Sequence, residues 1–433
     1  MSEKVIKAAL LGLGTVGNGV YKVLNSQREE MEKKIGAVVQ VEKILVRNLK
    51  KAAAKVEDPS LLTNDWKSIL EDPSIEIVIE VMGGFEPART YILEALRAGK
   101  HVVTANKDLV ASNGGELLDC AAEHQCDFLF EAAVAGGIPI IRPLKQCLAG
   151  NHIQEVIGIV NGTTNFILTK MTEEGMDYAG ALKMATELGY AEADPASDVE
   201  GYDAGRKMVI LGSLAYSSDV AFSDVYIEGI TQITADDVYY AKEFGYVIKL
   251  VGIARLSGER LEVKVHPMLI PKKHPLASVR DSFNAVFVHG DANGDAMFMG
   301  RGAGKMPTAS AVMGDVTTVL RNLLHDNCGW NGGIAYKKLP VMPIEETESC
   351  FFLRLLVSEK PGSLGNIASV LGNNGVSIDQ VVAKHTIHGA NELVIITGSV
   401  LERNFNTALE TLGNMSDIKG ICAKIRVYRE QRG

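Results

Sequence analysis

The sequence predicts an α/β protein in three parts. A parallel-sheet domain spans residues 1–148 and is completed by 302–330. An α+β domain covers 149–301. After a linker at 331–349 comes a C-terminal βαββαβ unit over 350–433. Three observations predict this. Short β-branched runs alternate with amphipathic stretches through the first part, the pattern of a parallel sheet covered on both faces. Near residue 150 that alternation gives way to paired helices followed by strands. The last stretch then runs strand–helix–strand twice, in ferredoxin-like order.

Taken in order, 5–11 (VIKAALL) reads as a short buried strand. A glycine loop at 12–17 follows, then a helix through Val20, Val23 and Leu24. Further strands are expected at 38–46, 76–82, 101–104 and near 127–133, with helices between them, one at 88–98. In the second part, 153–160 reads as a strand, 164–173 and 179–188 as helices, 189–203 as a Gly/Asp/Pro-rich loop and 204–216 as a long apolar helix. Strands at 247–254, 261–266 and 284–289 precede a segment at 300–325 that opens on glycines and ends in a helix. Two prolines in the polar stretch 338–349 mark the linker. The third part reads strand 350–358, helix 361–373, strands 376–384 and 391–397, helix 403–414 and strand 418–428.

Composition narrows the function. The 433 residues are 46% hydrophobic and 22% charged, which excludes a disordered chain. A net charge of −9 leaves no broad basic footprint for nucleic acid, though it permits a local anion pocket. The six cysteines form no C-x-x-C pair and the nine histidines no metal spacing, so the thiols read as reduced, in a cytoplasmic protein. No apolar run approaches the roughly 18 residues of a membrane span. Met1–Gly14 superficially resembles a secretory leader but lacks a small-residue cleavage site.

Four constellations carry chemistry. The first is Gly12-Leu13-Gly14-Thr15-Val16-Gly17, between a strand and a helix, where a G-x-G-x-x-G is the dinucleotide fingerprint of a Rossmann-type sheet. Gly12 permits the turn, Gly14 lets the backbone approach a pyrophosphate, and Gly17 lets the helix pack on the sheet. A plain glycine turn is the alternative. An NAD reader carries Asp or Glu near the end of the second strand. Here the strand ends Val46-Arg47-Asn48, with Lys50 and Lys51 beyond. A guanidinium at Arg47 would pair a 2′-phosphate, so NADP is expected, with NAD possible and a solvated basic turn as the bland reading.

The second is Thr104-Ala105-Asn106-Lys107, at the carboxyl end of a strand, where open parallel sheets bind ligands. Position alone does not separate a cofactor-facing Lys107 from a surface lysine opening the next helix. The third, 185–207, packs Glu187, Glu192, Asp194, Asp198, Glu200 and Asp203 ahead of Arg206 and Lys207. Asp203 and Lys207 are i,i+4 neighbours. Dense charge beside an apolar helix suits proton transfer or a substrate ammonium, and a solvated acidic loop is the rival. The fourth is Glu131 followed by the glycine-rich 132–138, which could hold a hard cation partly through backbone carbonyls or could simply be a domain crossover.

At 185–207 the sequence resembles the homoserine dehydrogenase family, in the form with a C-terminal ACT domain. The family signature is met at Ala185, Gly189, Tyr190, Ala191, Asp194, Pro195, Asp198, Val199, Gly201, Asp203 and Lys207. GLGTVG at 12–17, TANK at 104–107, NGTTNFIL at 161–168 and 294–312 extend the resemblance over essentially the whole chain. Arg301 and Lys305, around Gly302-Ala303-Gly304, depart from the small residues or proline usual there.

The resemblance implies reversible reduction of L-aspartate 4-semialdehyde to L-homoserine with NAD(P)H, on the way to threonine, methionine and isoleucine. It implies that Lys107 and Lys207 act at the reacting carbonyl, that Asp203 orients Lys207, and that Glu192 and Asp198 hold the substrate ammonium, with Tyr190, Gly162 and Thr163 about the substrate. Asn161, Gly162 and Thr163, together with Gly302 and Gly304, would lie near the nicotinamide. A monovalent cation such as Na⁺ would sit on Glu131 and the carbonyls of Val134, Gly136 and Ile138. The turns 359–366 and 373–378 resemble an ACT domain, which implies a homo-oligomer, dimer or tetramer. It also implies an amino-acid effector, L-threonine by family analogy, near Gly365, Asn366 and Asn374. A purely structural oligomerisation domain is the alternative there. Rival functions are another Rossmann reductase with an ACT tail, and a non-catalytic sensor of NADP and an amino acid. The sensor would tolerate loss of Asp203 or Lys207.

Overall fold

The computed structural model describes residues 4–329, 338–385 and 390–429. Much of the expected linker, 330–337, therefore lies outside the described residues. The chain opens with β1 (Lys4–Leu11), α1 (Thr15–Ser26), α2 (Arg28–Ile35), β2 (Ala37–Leu45), α3 (Leu49–Ala53), β3 (Leu62–Thr63), α4 (Lys67–Leu70), β4 (Ile75–Glu80), α5 (Ala88–Arg97), β5 (His101–Thr104), α6 (Lys107–Glu123) and β6 (Phe128–Leu129). These six strands form one sheet in the order β3-β2-β1-β4-β5-β6, and every pairing is parallel. That is the expected Rossmann-like sheet. Its core strands are mostly apolar because both faces are covered. Ala8, Ala9, Leu10 and Leu11 are wholly buried.

The chain continues through β7 (Ile153–Ile159), α7 (Gly162–Glu174), α8 (Tyr178–Glu187), α9 (Ala196–Val199), α10 (Tyr202–Tyr216), β8 (Tyr226–Ile227), α11 (Ala235–Glu243), β9 (Tyr246–Ser257), β10 (Arg260–Pro271), β11 (Phe283–Gly290), β12 (Gly294–Arg301) and α12 (Lys305–Leu324). It ends with β13 (Glu348–Ser358), α13 (Ser363–Asn373), β14 (Ile378–His385), β15 (Ala390–Thr397), β16 (Val400–Leu401), α14 (Glu402–Gly413) and β17 (Ile418–Val427).

Two compact units result. The first comprises 1–156, 209–222 and 284–339; the second comprises 157–208, 223–283 and 340–433. In the first unit, α12 returns to the Rossmann sheet. Its Val312, Val316 and Val319 pack with Val20 and Leu24 of α1 over Leu10 of β1 and Ile77 and Ile79 of β4. Each such fully buried aliphatic side chain contributes roughly 1.5–3 kcal/mol. In the second unit the strands run β9-β10-β17-β13-β15-β14. The sheet is mixed: β10 is antiparallel to β9 and parallel to β17. The terminal order β17-β13-β15-β14, with α13 and α14 packed together against it, is the expected βαββαβ arrangement.

Several elements differ from the sequence reading. The strand expected near 127–133 is only two residues long. Beyond it, Glu131–Ala133 forms a 3-10 turn, because the Glu131 carboxylate gathers backbone donors from the next segment. The loop 189–203 contains the short helix α9. Helices α2 and α11 and strand β12 were not anticipated. Of the described helices, none is long and apolar enough to cross a membrane.

Candidate functional site

The first unit holds a cleft beside the glycine loop. A cavity of about 710 Å³ is lined by the glycine loop, by the end of β2 and the start of α3, and by the turn after β4. Gly12 sits at φ +100°, and a Cβ there would meet the Val81 carbonyl at 3.0 Å. At Gly17 a Cβ would lie 2.1 Å from the Gly12 carbonyl, so the loop closes only on glycine. Gly14 is different: a Cβ there would meet nothing within 4 Å. The protein itself places no steric demand on Gly14, and the open space there lies at the amino terminus of α1. Thr15 and Val16 begin that helix, and Leu13 lines the cavity. Arg47, Lys51 and Lys55 also line it, and among the described residues no carboxylate does.

Lys107 is the first residue of α6, half-buried. Its position is set by its neighbours. Asn106 caps the helix, accepting from the Leu109 N–H at 3.2 Å and donating to the Gly84 carbonyl at 2.7 Å. Thr104 donates to the wholly buried Glu80 at 2.6 Å. The other Glu80 oxygen accepts the N–H groups of Met82 and Gly83. One buried carboxylate thus ties together the ends of β4 and β5, the carboxyl side of the sheet where ligands bind.

Glu131 is buried, and its carboxylate accepts the backbone N–H groups of Ile140, Ile141 and Arg142 at 2.6, 2.8 and 2.8 Å. Its own N–H donates to Asp315, which also pairs with Arg142 at 2.7 Å. Complete burial pushes the Asp315 carboxyl up to about 7 despite these partners. Three of the roughly four acceptor directions of Glu131 are therefore taken by protein. A cation here would lean on the carbonyls of Val134, Gly136 and Ile138. A Cβ on Gly136 would meet the Gly302 carbonyl at 2.4 Å, and one on Gly302 would meet the Asn284 amide at 2.1 Å. Gly136 is fixed by backbone packing and Gly302 by the Asn284 side chain, both within the unit. Gly304 precedes α12 at φ +125°. Lys305, a departure from the family pattern, hydrogen-bonds Asn18 of α1.

The second unit brings the acidic segment together. Lys207 is 9% exposed and Asp203 8%. Their i,i+4 spacing on α10 puts Nζ 2.6 Å from Asp203 Oδ2, and the ammonium also donates to the Val160 carbonyl at 2.6 Å. Asn161 caps α7 with its Oδ1, accepting from Thr164 at 2.9 Å, while its Nδ2 donates to Asp203 at 2.8 Å and to Asp198 at 2.7 Å. Thr163 Oγ1 lies 2.8 Å from both Asp198 Oδ2 and the Tyr190 carbonyl, and its single proton serves one of them at a time. The Tyr190 ring packs on Phe166. Gly162 is the first residue of α7.

The helix that presents Asn161 is itself anchored. Buried Lys249 donates to Asn165 of α7 and to the Val279 carbonyl, and burial lowers its ammonium to about 8. Glu192 stands apart, exposed in the loop before α9 and outside this hydrogen-bonded group. The bridging role of Asn161 and the Lys249 anchor were not read from the sequence. Among the regulatory candidates, Gly365 and Asn366 lie in the first turn of α13, and Asn374 ends it, donating to Val370 at 2.9 Å.

Comparison with known proteins identifies the family. A family model described as homoserine dehydrogenase matches residues 139–317, and one described as homoserine dehydrogenase, NAD binding domain, matches 12–131. A homoserine dehydrogenase of Bacillus subtilis is 44% identical over 431 residues, covering 98% of each chain. The crystal structure of a homoserine dehydrogenase from Thiobacillus denitrificans superposes with a TM-score of 0.93 at 41% identity, covering 98% of this chain and 99% of that one. A hyperthermophilic archaeal homoserine dehydrogenase in complex with NADPH aligns over 73% of this chain and 97% of its own, with a TM-score of 0.62 at 26% identity. With its Rossmann-like nucleotide cleft and its buried Asp203–Lys207 pair, the chain belongs to the homoserine dehydrogenase family of oxidoreductases.

Proposed function

We propose that this enzyme interconverts L-aspartate 4-semialdehyde and L-homoserine with a preference for NADP over NAD, and that L-threonine regulates it through residues 350–433 acting as an ACT domain. One observation carries the catalytic reading. The Lys207 ammonium is buried and aimed by two acceptors, Asp203 and the Val160 carbonyl, and its third N–H has no acceptor among the described residues. Reduction of an aldehyde leaves negative charge on the carbonyl oxygen, which needs a donor at hydrogen-bond distance. Lys207 supplies that donor and the proton. Asp203 is a positioning residue that holds the ammonium, and Asn161 positions Asp203. Lys107, at the start of α6, is the second candidate for the proton relay.

The bound nicotinamide cofactor supplies or accepts the hydride. Leu13 and the glycine loop would hold its pyrophosphate, and Arg47, with Lys51 beside it, a 2′-phosphate. The absence of any carboxylate from that cavity's lining supports NADP. The NADPH in the archaeal relative supports the same reading for this chain. Asp198, which keeps one oxygen shared with a rotatable hydroxyl, and Glu192 would take the substrate ammonium, with Gly162, Thr163 and Tyr190 around it. A monovalent cation such as Na⁺ would be held by the carbonyls of Val134, Gly136 and Ile138 and the remaining Glu131 acceptor, in a structural role.

The βαββαβ strand order supports the ACT reading, which carries with it a homo-oligomer, while the free cysteines support a cytoplasmic location. The test is L-homoserine-dependent reduction of NADP, and separately of NAD, with and without L-threonine. Faster turnover with NADP, suppressed by threonine, is expected. Equal use of the two nucleotides would remove the 2′-phosphate assignment, and indifference to threonine would remove the effector.

A further inference from the structure

A second cluster of ligating side chains lies in the first unit, at the opposite edge of the Rossmann sheet from the nucleotide cleft. His101 opens β5, Asp127 precedes β6, and Cys328 follows α12. One ligating atom from each falls within 4.8 Å of the other two. Because β5 runs from His101 to Thr104, the cluster is about 10 Å along the strand from the Thr104–Lys107 turn. Its residues take no part in the chemistry above. No spacing in the sequence reveals it, since the three residues are separated by 26 and 201 positions and meet only in the fold.

Asp127 is 1% exposed, yet its partners are mostly neutral. Asn322 Nδ2 donates to one oxygen and the Gly329 N–H to the other, each at 2.9 Å. No lysine or arginine forms a direct ion pair with it among the described residues, and the Lys145 ammonium in the same cavity acts on it only at longer range. His101, whose Nδ1 is 4.0 Å from Asp127, is held towards its neutral form because burial lowers its pKa. Burial and the Asp127 charge together push the Cys328 thiol up to about 11. A buried carboxylate without a cation is costly. A divalent ion would compensate it, keep the imidazole neutral and deprotonate the thiol, as metal ligation requires.

We propose that His101, Asp127 and Cys328 form a structural site for a borderline-soft divalent cation of the Zn²⁺ class, fastening the end of α12 to the β5–β6 edge. A mixed nitrogen, oxygen and thiolate set suits Zn²⁺ over Mg²⁺ or Ca²⁺, which take oxygen ligands. The carboxylate's outer partners are in place, with Asn322 and Gly329 orienting it, while the Asp127 N–H donates to His101 Nδ1 at 3.0 Å. Ligation by the neutral ring gives up that bond: through Nδ1 the metal takes the lone pair that accepts the N–H, and through Nε2 the ring proton moves to Nδ1. Asp127, Asn322 and Asn327 also line a cavity of about 410 Å³. With three protein ligands, a water completes the tetrahedron.

The test uses untagged, metal-stripped full-length protein titrated with Co(II) and then Zn(II). Binding of one Co(II) per chain with a thiolate-to-metal charge-transfer band is expected, and Zn(II) should displace it. The band should vanish in Cys328→Ser and persist in Cys147→Ser, an exposed thiol outside the cluster. Affinity should fall at least about tenfold in His101→Gln. Zn(II) should also raise the melting temperature of the wild type and of Cys147→Ser. Should Cys328→Ser fail to fold, the wild-type band and the His101→Gln affinity decide. No charge-transfer band in the wild type, a band that survives in folded Cys328→Ser, or unchanged affinity in His101→Gln would overturn the site.

Discussion

Asn161 Nδ2 donates at 2.8 Å to the same Asp203 oxygen that accepts the Lys207 ammonium at 2.6 Å. The lysine is therefore aimed by a carboxylate that is itself aimed by a helix cap, and the cap's other acceptor, Asp198, is the proposed anchor of the substrate amine. In the proposed function, reaction and recognition hang from one side chain.

Asn161→Ala removes that link while sparing both charged residues. It should lower kcat by about ten- to a hundredfold and raise KM for L-homoserine, since each lost charge-assisted bond is worth about 1.5–3 kcal/mol. The KM for NADP should stay within about twofold. Steady-state kinetics in both substrates checks this, and an effect confined to NADP would contradict the placement.

Gly14→Ala and Gly17→Ala should separate ligand space from packing. A Cβ on Gly14 meets nothing of the protein, whereas one on Gly17 lies 2.1 Å from the Gly12 carbonyl. Gly14→Ala should keep the wild-type melting temperature and weaken NADPH binding. Gly17→Ala should destabilise the fold by roughly 1–3 kcal/mol, as overpacking does. Thermal melts beside NADPH fluorescence titrations read both.

Arg47→Ala should raise the KM for NADP about tenfold or more and leave that for NAD nearly unchanged, because a lost bond to a charged phosphate costs about 1.5–3 kcal/mol. Lys51→Ala, on the same cavity wall, should act in the same direction.

Asp315 makes stability depend on pH. Its folded-state pKa, about 7, exceeds the ordinary 3.8. Between those values the native state holds more protons than the unfolded chain, so stability falls as pH rises. The contribution is fully present below about 3.8 and lost above about 7. Asp315→Asn, which cannot ionise, should lack this slope. The stability difference, wild type minus variant, should shrink from pH 4.5 to about pH 7 and level off beyond. Denaturant melts across that range measure it.

Gly365→Asp places a charge where a Cβ meets no neighbour, in the first turn of α13. Threonine inhibition should weaken with uninhibited turnover unchanged. Full sensitivity in the variant would move the effector site elsewhere.

What the sequence made legible was local. GLGTVG, the TANK turn and the Asp203–Lys207 pair each lie within one strand–loop–helix passage or one helical turn, so spacing carries their geometry. The elements it hid lack such a pattern. Helix α2 buries only Met31, so it has no apolar stripe. Strand β12 has no fully buried residue, and α11 is marked mainly by its Thr234–Asp237 capping box. Pairings such as Met268 with Arg426 join distant segments and leave no local trace. For the same reason Asn161 read as one residue of a conspicuous motif, and its two carboxylate partners, 37 and 42 positions away, came only with the fold.

The most direct test of the account compares L-homoserine-dependent NADP reduction in the wild type, Lys207→Ala and Asp203→Ala, alongside NADPH binding by fluorescence. The account predicts NADPH affinities within about twofold of wild type and turnover reduced by about 10²–10⁴ in both variants, the range for a lost general acid. Turnover near the wild-type level in both variants, with NADPH still bound, would contradict it.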